Sequence, residues 1–122
     1  MKSLQVLKDV FGYTTFRPGQ EKVIDLVLKG ENVLAVMPTG AGKSMCYQIP
    51  ALVNSGLTLV ISPLISLMKD QIDSLKQNGI NAAALNSATP QEEVNPILRQ
   101  AYEGKIKLLY VTPERLAMDY FR

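Results

Sequence analysis

Histidine is absent from the 122 residues, and cysteine occurs once, at Cys46. Without histidine the usual general base near neutral pH is missing. A single thiol forms no internal disulfide and builds no zinc site by itself, which excludes a disulfide scaffold and a zinc-centred fold. This cysteine usage fits a reducing compartment, and the expected location is the cytoplasm. Strong charge of one sign is also missing. The 13 basic side chains against 11 acidic ones leave a net charge of +2, so composition alone encodes no broad basic surface for nucleic acid. Long apolar runs are missing too. None approaches the ~20 residues that span a bilayer, so no membrane is expected as a partner. Residues 1–10 alternate charged and apolar types and contain no apolar stretch of the kind a secretory leader needs. No internal repeat, low-complexity tract or linker-like stretch interrupts the chain, whose length accommodates one domain.

What is present is an apolar fraction of 47%, enough for a core. It is concentrated in four short runs at residues 32–37, 57–61, 80–85 and 106–111. Three of them are nearly continuous rather than alternating, which suits parallel strands covered on both faces. Helical patterns lie between them. Leu64, Met68, Ile72 and Leu75 step by four, four and three along one helix face, with Gly79 as the expected end. Pro18-Gly19-Gln20-Glu21 opens another helix with Val23, Ile24, Val27 and Leu28 as its stripe, ended by Gly30. A third pattern runs toward Glu103, capped by Ser87 or Thr89 and shortened or kinked at Pro96. Strands alternating with helices predict an α/β fold with a parallel sheet flanked by helices.

The run ending at Met37 leads directly into Pro38-Thr39-Gly40-Ala41-Gly42-Lys43-Ser44, and a helical pattern starting at Met45 follows at once. Strand, glycine-rich turn and helix N-terminus form the context of a P-loop, a cradle for nucleotide phosphates. Gly40 and Gly42 let successive N–H groups point inward, and the helix N-terminus adds a field that favours anions. Lys43 is placed to reach the β- and γ-phosphates, and the Ser44 hydroxyl to hold Mg²⁺. The general pattern G-x-x-x-x-G-K-[ST] has glycine where this chain has Met37.

Longer motifs narrow the class. Phe11-Gly12-Tyr13, Phe16-Arg17-Pro18-Gly19-Gln20, the stretch from Met37 to Ala51, Ser62-Pro-Leu-Ile-Ser-Leu-Met-Lys-Asp-Gln71, Leu85-Asn86-Ser87 and Tyr110-Val-Thr-Pro-Glu-Arg-Leu116 occur in this order. Together they resemble the successive motifs of RecQ-type ATP-dependent DNA helicases, over nearly the whole chain. The resemblance implies a RecA-like P-loop NTPase lobe, with residues 1–122 as its N-terminal portion. That lobe would be incomplete, because the chain ends before the Walker B strand. It implies ATP and Mg²⁺ as cofactors, single-stranded and duplex DNA as partners, 3′→5′ unwinding as the activity, and work in DNA repair and recombination. Carried over by position, Gln20 reads the adenine edge and Tyr13 and Arg17 stack on the base. Thr39, Gly40, Ala41, Gly42, Lys43 and Ser44 hold the phosphates, with Lys43 and Ser44 serving the reaction. Ser62, Pro63, Ser66, Asn86, Ser87, Thr112, Pro113, Glu114 and Arg115 lie near single-stranded DNA.

Plainer readings stand beside these. Gln20 could face solvent in a first helical turn, and Tyr13 and Phe16 could be core. Thr112-Pro113 could be an ordinary helix start, and Lys69 and Asp70 could be solvated helix charges. No D-E-A-H segment occurs among the residues, and neither Glu114 nor Asp119 replaces it convincingly. The isolated chain is therefore expected to bind nucleotide without turnover. The competing classes are a DEAD-box-like RNA helicase, against which Ser62-Pro-Leu-Ile-Ser stands in place of P-T-R-E-L, and a non-catalytic nucleotide-binding fragment.

Overall fold

A computed structural model describes residues 3–34 and 43–116. The chain divides into two compact units, Met1–Ser55 and Gly56–Arg122.

The described part of the first unit is helical: α1 (Ser3–Asp9), α2 (Gln20–Leu28) and α3 (Met45–Val53). A seven-residue helix such as α1 is too short to persist alone. It is held by burying Val6 and Leu7 against Ile24 of α2 and Ile49 of α3, with Phe11, Phe16, Leu28, Met45 and Leu52 packed around them. In the stripe predicted for α2, Ile24 is fully buried while Val23, Val27 and Leu28 are half-buried, and Gln20 joins the buried side. Gly30 ends α2 as expected. Its N–H donates to Val27 O and the Glu31 N–H donates to Leu26 O, the paired bonds of a Schellman turn. The run at 32–37 is described only over 32–34, which carry no regular structure, and residues 35–37 lie outside the described residues.

The second unit carries β1 (Thr58–Ile61), α4 (Ile65–Gln77), β2 (Ala82–Leu85), α5 (Gln91–Tyr102), β3 (Leu108–Val111) and α6 (Pro113–Leu116). The three strands form one parallel sheet in the order β1-β3-β2. The chain passes from β1 through α4 to β2 and returns through α5 to the central place. Parallel crossovers keep one hand, so this reversal puts the two helices on opposite faces. On one face Leu85, Leu109 and Val111 pack with Val94, Ile97 and Leu98 of α5. On the other, the buried Tyr110 hydroxyl donates to Gln71 Oε1 of α4 at 2.8 Å. Central β3 is buried at all four residues.

β1 departs from the expectation of strands covered on both faces. Leu59 and Ile61 pair in register with Leu109 and Val111, yet they are 41% and 54% exposed. α5 packs on β2 and β3, and this row of β1 is left partly exposed. Three other expectations need correcting. Leu64 is the exposed residue before α4 and not part of its buried face, which is Met68, Ile72 and Leu75. The helix α5 starts after Pro90, and neither Ser87 nor Thr89 caps it, because the Thr89 hydroxyl already accepts from Asn86 N–H and donates to Ala84 O. Pro96 lies inside α5 without ending it. It sits on the exposed side, where the carbonyl its missing N–H would have met can be hydrated. α4 does end at Gly79, with φ 80° and the same paired bonds, Gly79 N–H to Lys76 O and Ile80 N–H to Leu75 O.

Candidate functional site

In the first unit a cleft of about 480 Å³ is lined by Leu7, Tyr13, Thr15, Arg17, Gln20, Ser44 and Met45. That volume lies within the range of small-molecule sites. Local chain geometry sets its wall. Gly12 has φ 77°, and the Tyr13 N–H donates to Leu7 O at 3.2 Å, fastening Tyr13 just beyond α1. Tyr13 is half exposed, with its ring at the cleft and not in the core, while Phe16 packs into the core. Gly19, at φ 85°, turns the chain into α2 and places Gln20 in its first position.

Gln20 is only 2% exposed, so the solvent-facing reading of it is wrong. Its Oε1 accepts the Arg17 N–H at 2.7 Å, and its own N–H donates to Arg17 O at 3.1 Å. These two bonds fix the amide against the backbone and hold Arg17 beside it. A buried amide is costly unless its polar atoms are matched, so its orientation at a cleft wall is well specified. Ser44, also at the cleft, precedes α3 without using its hydroxyl as a cap, while its carbonyl accepts the Gln48 N–H at 3.0 Å. Lys43 is exposed directly before it. The cleft thus brings together Tyr13, Arg17, Gln20 and Ser44. Leu7, Thr15 and Met45 also line it; Met45 falls within the stretch from Met37 to Ala51, whereas no pattern singles out Leu7 or Thr15. Thr39, Gly40, Ala41 and Gly42 lie outside the described residues.

Phenol, guanidinium, amide and hydroxyl around one cleft, beside a helix N-terminus, fit a nucleotide: ring and cation for base faces, amide for a base edge, helix start for phosphate. Among the described residues no cluster of three or more His, Cys, Asp or Glu could hold a metal ion. Ser44 can contribute one oxygen to a Mg²⁺ carried by the nucleotide.

In the second unit the strands end level with one another. Ile61, Val111 and Leu85 share a register, so Ser62, Thr112 and Asn86 form a row at the C-terminal edge of the sheet. The row is bonded crosswise, with Ser62 N–H donating to Val111 O at 3.0 Å and Thr112 N–H to Leu85 O at 3.3 Å. Such edges are where open α/β sheets receive ligands. Ser62 Oγ accepts the Leu64 N–H at 3.2 Å. Pro63, Ser66, Ser87, Pro113 and Glu114 are exposed along this edge. Thr112 is 1% exposed, and among the described residues its Oγ1 has no hydrogen-bond partner. It precedes Pro113 at the first position of α6, but its unpartnered hydroxyl does not cap that helix, so only the proline part of the N-cap reading holds. Asn86 and Arg115 are engaged internally: the Arg115 Nη2 donates to Asn86 O at 3.0 Å. A second cleft of about 260 Å³ lies between α4 and the turn after β2, lined by Ile72, Ala84, Asn86, Thr89 and their neighbours.

Residues 17–121 match the family model for the DEAD/DEAH box helicase. The chain belongs to the DEAD/DEAH box helicase family. It is 56% identical over 119 residues to the ATP-dependent DNA helicase RecQ of Haemophilus influenzae, a match covering 98% of this chain and 19% of that protein. It is 53% identical over 121 residues to the protein of the same name from Bacillus subtilis, covering 98% of this chain and 20% of that one. The chain therefore spans about a fifth of the length of these curated relatives. Its fold is similar to the crystal structure of a hypothetical ATP-dependent RNA helicase from Sulfolobus tokodaii. The TM-score is 0.71 at 24% identity, over 94% of this chain and 34% of that one. The α/β reading and the RecQ resemblance both stand, and the RNA-helicase alternative is not favoured. No helix of the described residues is long and apolar enough to cross a membrane.

Proposed function

We propose that this helicase-family chain is the N-terminal portion of the first motor lobe of an ATP-dependent 3′→5′ DNA helicase of the RecQ type. It takes up ATP with Mg²⁺ in the cleft of the first unit and contributes single-strand contacts from the sheet edge of the second. The setting of such a motor is DNA repair and recombination in a cytoplasmic compartment. The observation that carries this reading is the cleft that unites Tyr13, Arg17, Gln20 and Ser44.

Gln20 offers an amide donor and acceptor to the adenine edge, and its burial makes that recognition selective, because a wrong base leaves a dehydrated polar group unmatched. Tyr13 and Arg17 supply the stacking surface. Lys43 neutralises the β- and γ-phosphates, and Thr39, Gly40, Ala41 and Gly42 complete their cradle. Ser44 holds the Mg²⁺ that comes with the nucleotide, which supplies charge neutralisation at the phosphates. At the sheet edge Ser62, Pro63, Ser66, Ser87, Pro113 and Glu114 follow a sugar-phosphate backbone with hydroxyls and main-chain groups that carry no base code, and Thr112, whose side chain is buried, supports this edge from within. The remaining requirement of phosphoryl transfer, a carboxylate that orients water, is met by no residue in this segment, so the 122-residue polypeptide binds nucleotide without turning it over. The test is competitive binding of ATP and GTP to the chain and to Gln20→Ala. The expected outcome is a preference for ATP that narrows by about fivefold or more in the variant. An unchanged ATP/GTP ratio would remove the adenine-reading role.

A further inference from the structure

The strand-end residues divide into those that face outward and those that bond each other, and Arg115 belongs to the second group. Its guanidinium Nη2 reaches across from α6 to the main-chain oxygen of Asn86 at 3.0 Å. That oxygen also accepts the Thr89 N–H at 3.1 Å. A carbonyl has two lone pairs, so this acceptor is filled. The other polar atoms of Asn86 are matched as well. Its N–H donates to Thr89 Oγ1 at 3.0 Å, its Oδ1 accepts the Ala88 N–H at 2.8 Å, and its Nδ2 lies 3.7 Å from Met68 Sδ of α4. Asn86 is 6% exposed. It is the hub of a closed turn spanning residues 86–90, and Arg115 ties that turn to the one at residues 112–115. Ser87 stands exposed immediately beside the hub, and Pro113 and Glu114 stand exposed beside the tie.

We propose that Arg115 is a positioning residue, which sets the spacing between the Ser87 turn and the Pro113-Glu114 turn through Asn86 and does not contact phosphate. The inference rests on the nucleic-acid reading of the sheet edge given above, and it changes the role that reading would give to Arg115 and Asn86. A guanidinium held in the plane of a carbonyl is committed in direction. Its value lies in the geometry it imposes on neighbouring hydroxyl and main-chain groups, and a neutral donor of similar reach can replace it. A phosphate contact, by contrast, depends on the positive charge and releases counterions.

The test uses the full chain and two variants, Arg115→Ala and Arg115→Gln. The readouts are oligo(dT) binding by fluorescence anisotropy at several salt concentrations and amide hydrogen exchange at Ala88 and Thr89. Arg115→Ala is expected to weaken binding by about three- to tenfold, the weight of one ordinary hydrogen bond, with the slope of log affinity against log salt unchanged. It is also expected to speed exchange at Ala88 and Thr89. Arg115→Gln, which loses the charge and whose amide donor ends two bonds short of the position of Nη2, is expected to behave like Arg115→Ala, again with the slope unchanged. A slope reduced by about 0.7 in both variants would mark a direct phosphate contact and overturn the inference while leaving the nucleic-acid reading standing. Exchange unchanged in Arg115→Ala would overturn it on structural grounds, whatever the DNA result. Failure of the unaltered chain to bind oligo(dT) would overturn the nucleic-acid reading itself, and this inference with it.

Discussion

The two units arrange their polar side chains differently. In Met1–Ser55 the polar residues around the cleft differ in burial: Tyr13 and Arg17 are exposed, while Gln20 is buried and fixed to the backbone. In Gly56–Arg122 several polar groups at the strand ends bond each other, and it is their neighbours that are exposed. A cleft suits a small ligand enclosed by side chains, whereas along an edge the spacing of successive turns matters more than the reach of any one residue.

The strongest way to break this contrast is Lys43→Ala. Loss of a charge-assisted contact is expected to reduce Mg·ATP affinity by about ten- to a hundredfold in isothermal titration. Equal affinity in the variant would take phosphate binding away from the first unit. A sharper probe is Gln20→Glu. The carboxylate can still accept the Arg17 N–H, so the cleft wall stays in place, but the amide donor is gone. ATP/GTP discrimination should fall by about fivefold or more, and the charge placed at this buried position should also lower thermal stability. Unchanged discrimination in the folded variant would mean that Gln20 serves the backbone alone.

Tyr110→Phe tests the second unit by itself. It removes the buried hydroxyl that meets Gln71 and should cost about 1 kcal/mol in urea unfolding, with nucleotide affinity unchanged. The smallest expected effect concerns Cys46, whose thiol is pushed up from its ordinary value by burial. The folded state then holds its proton longer than the unfolded chain. This contribution to stability is full below the ordinary thiol value and declines as pH rises past it. Iodoacetamide should label Cys46 slowly near neutral pH, faster at alkaline pH, and fastest in urea. Rapid labelling of the folded chain at neutral pH would contradict its burial in α3.

Much of this architecture was legible because local rules and tertiary packing agree. Gly30 and Gly79 stop helices where left-handed backbone is needed, and the apolar runs at 57–61, 80–85 and 106–111 contain the three strands. The exceptions are places where a partner decides. α1 forms because Val6 and Leu7 find a core, which no seven-residue pattern reveals. Thr89 reads as a helix cap but is engaged by Asn86 and Ala84, a choice set by the turn and not by its own residue type. Leu59 and Ile61 read as buried, yet α5 lies over the other two strands. At the candidate sites, residue types suggested Gln20 and Arg115 equally well. Burial and bonding show that both side chains are engaged by their own chain, Gln20 by the Arg17 N–H and Arg115 by the Asn86 carbonyl, and residue type alone reveals neither.

The level strand ends also have a mechanical meaning. β3 is flanked on both sides by parallel neighbours in matched register, with Leu108 to Val111 opposite Thr58 to Ile61 and Ala82 to Leu85. Ladder bonds run across the strands, so tension applied along β3 from Thr112 loads both ladders in shear, all bonds sharing it at once, whereas a sideways pull would open them one at a time. A tug on the sheet edge in the strand direction is therefore passed into the sheet and on to α4 through the Tyr110–Gln71 link, instead of unravelling the turn where it was applied.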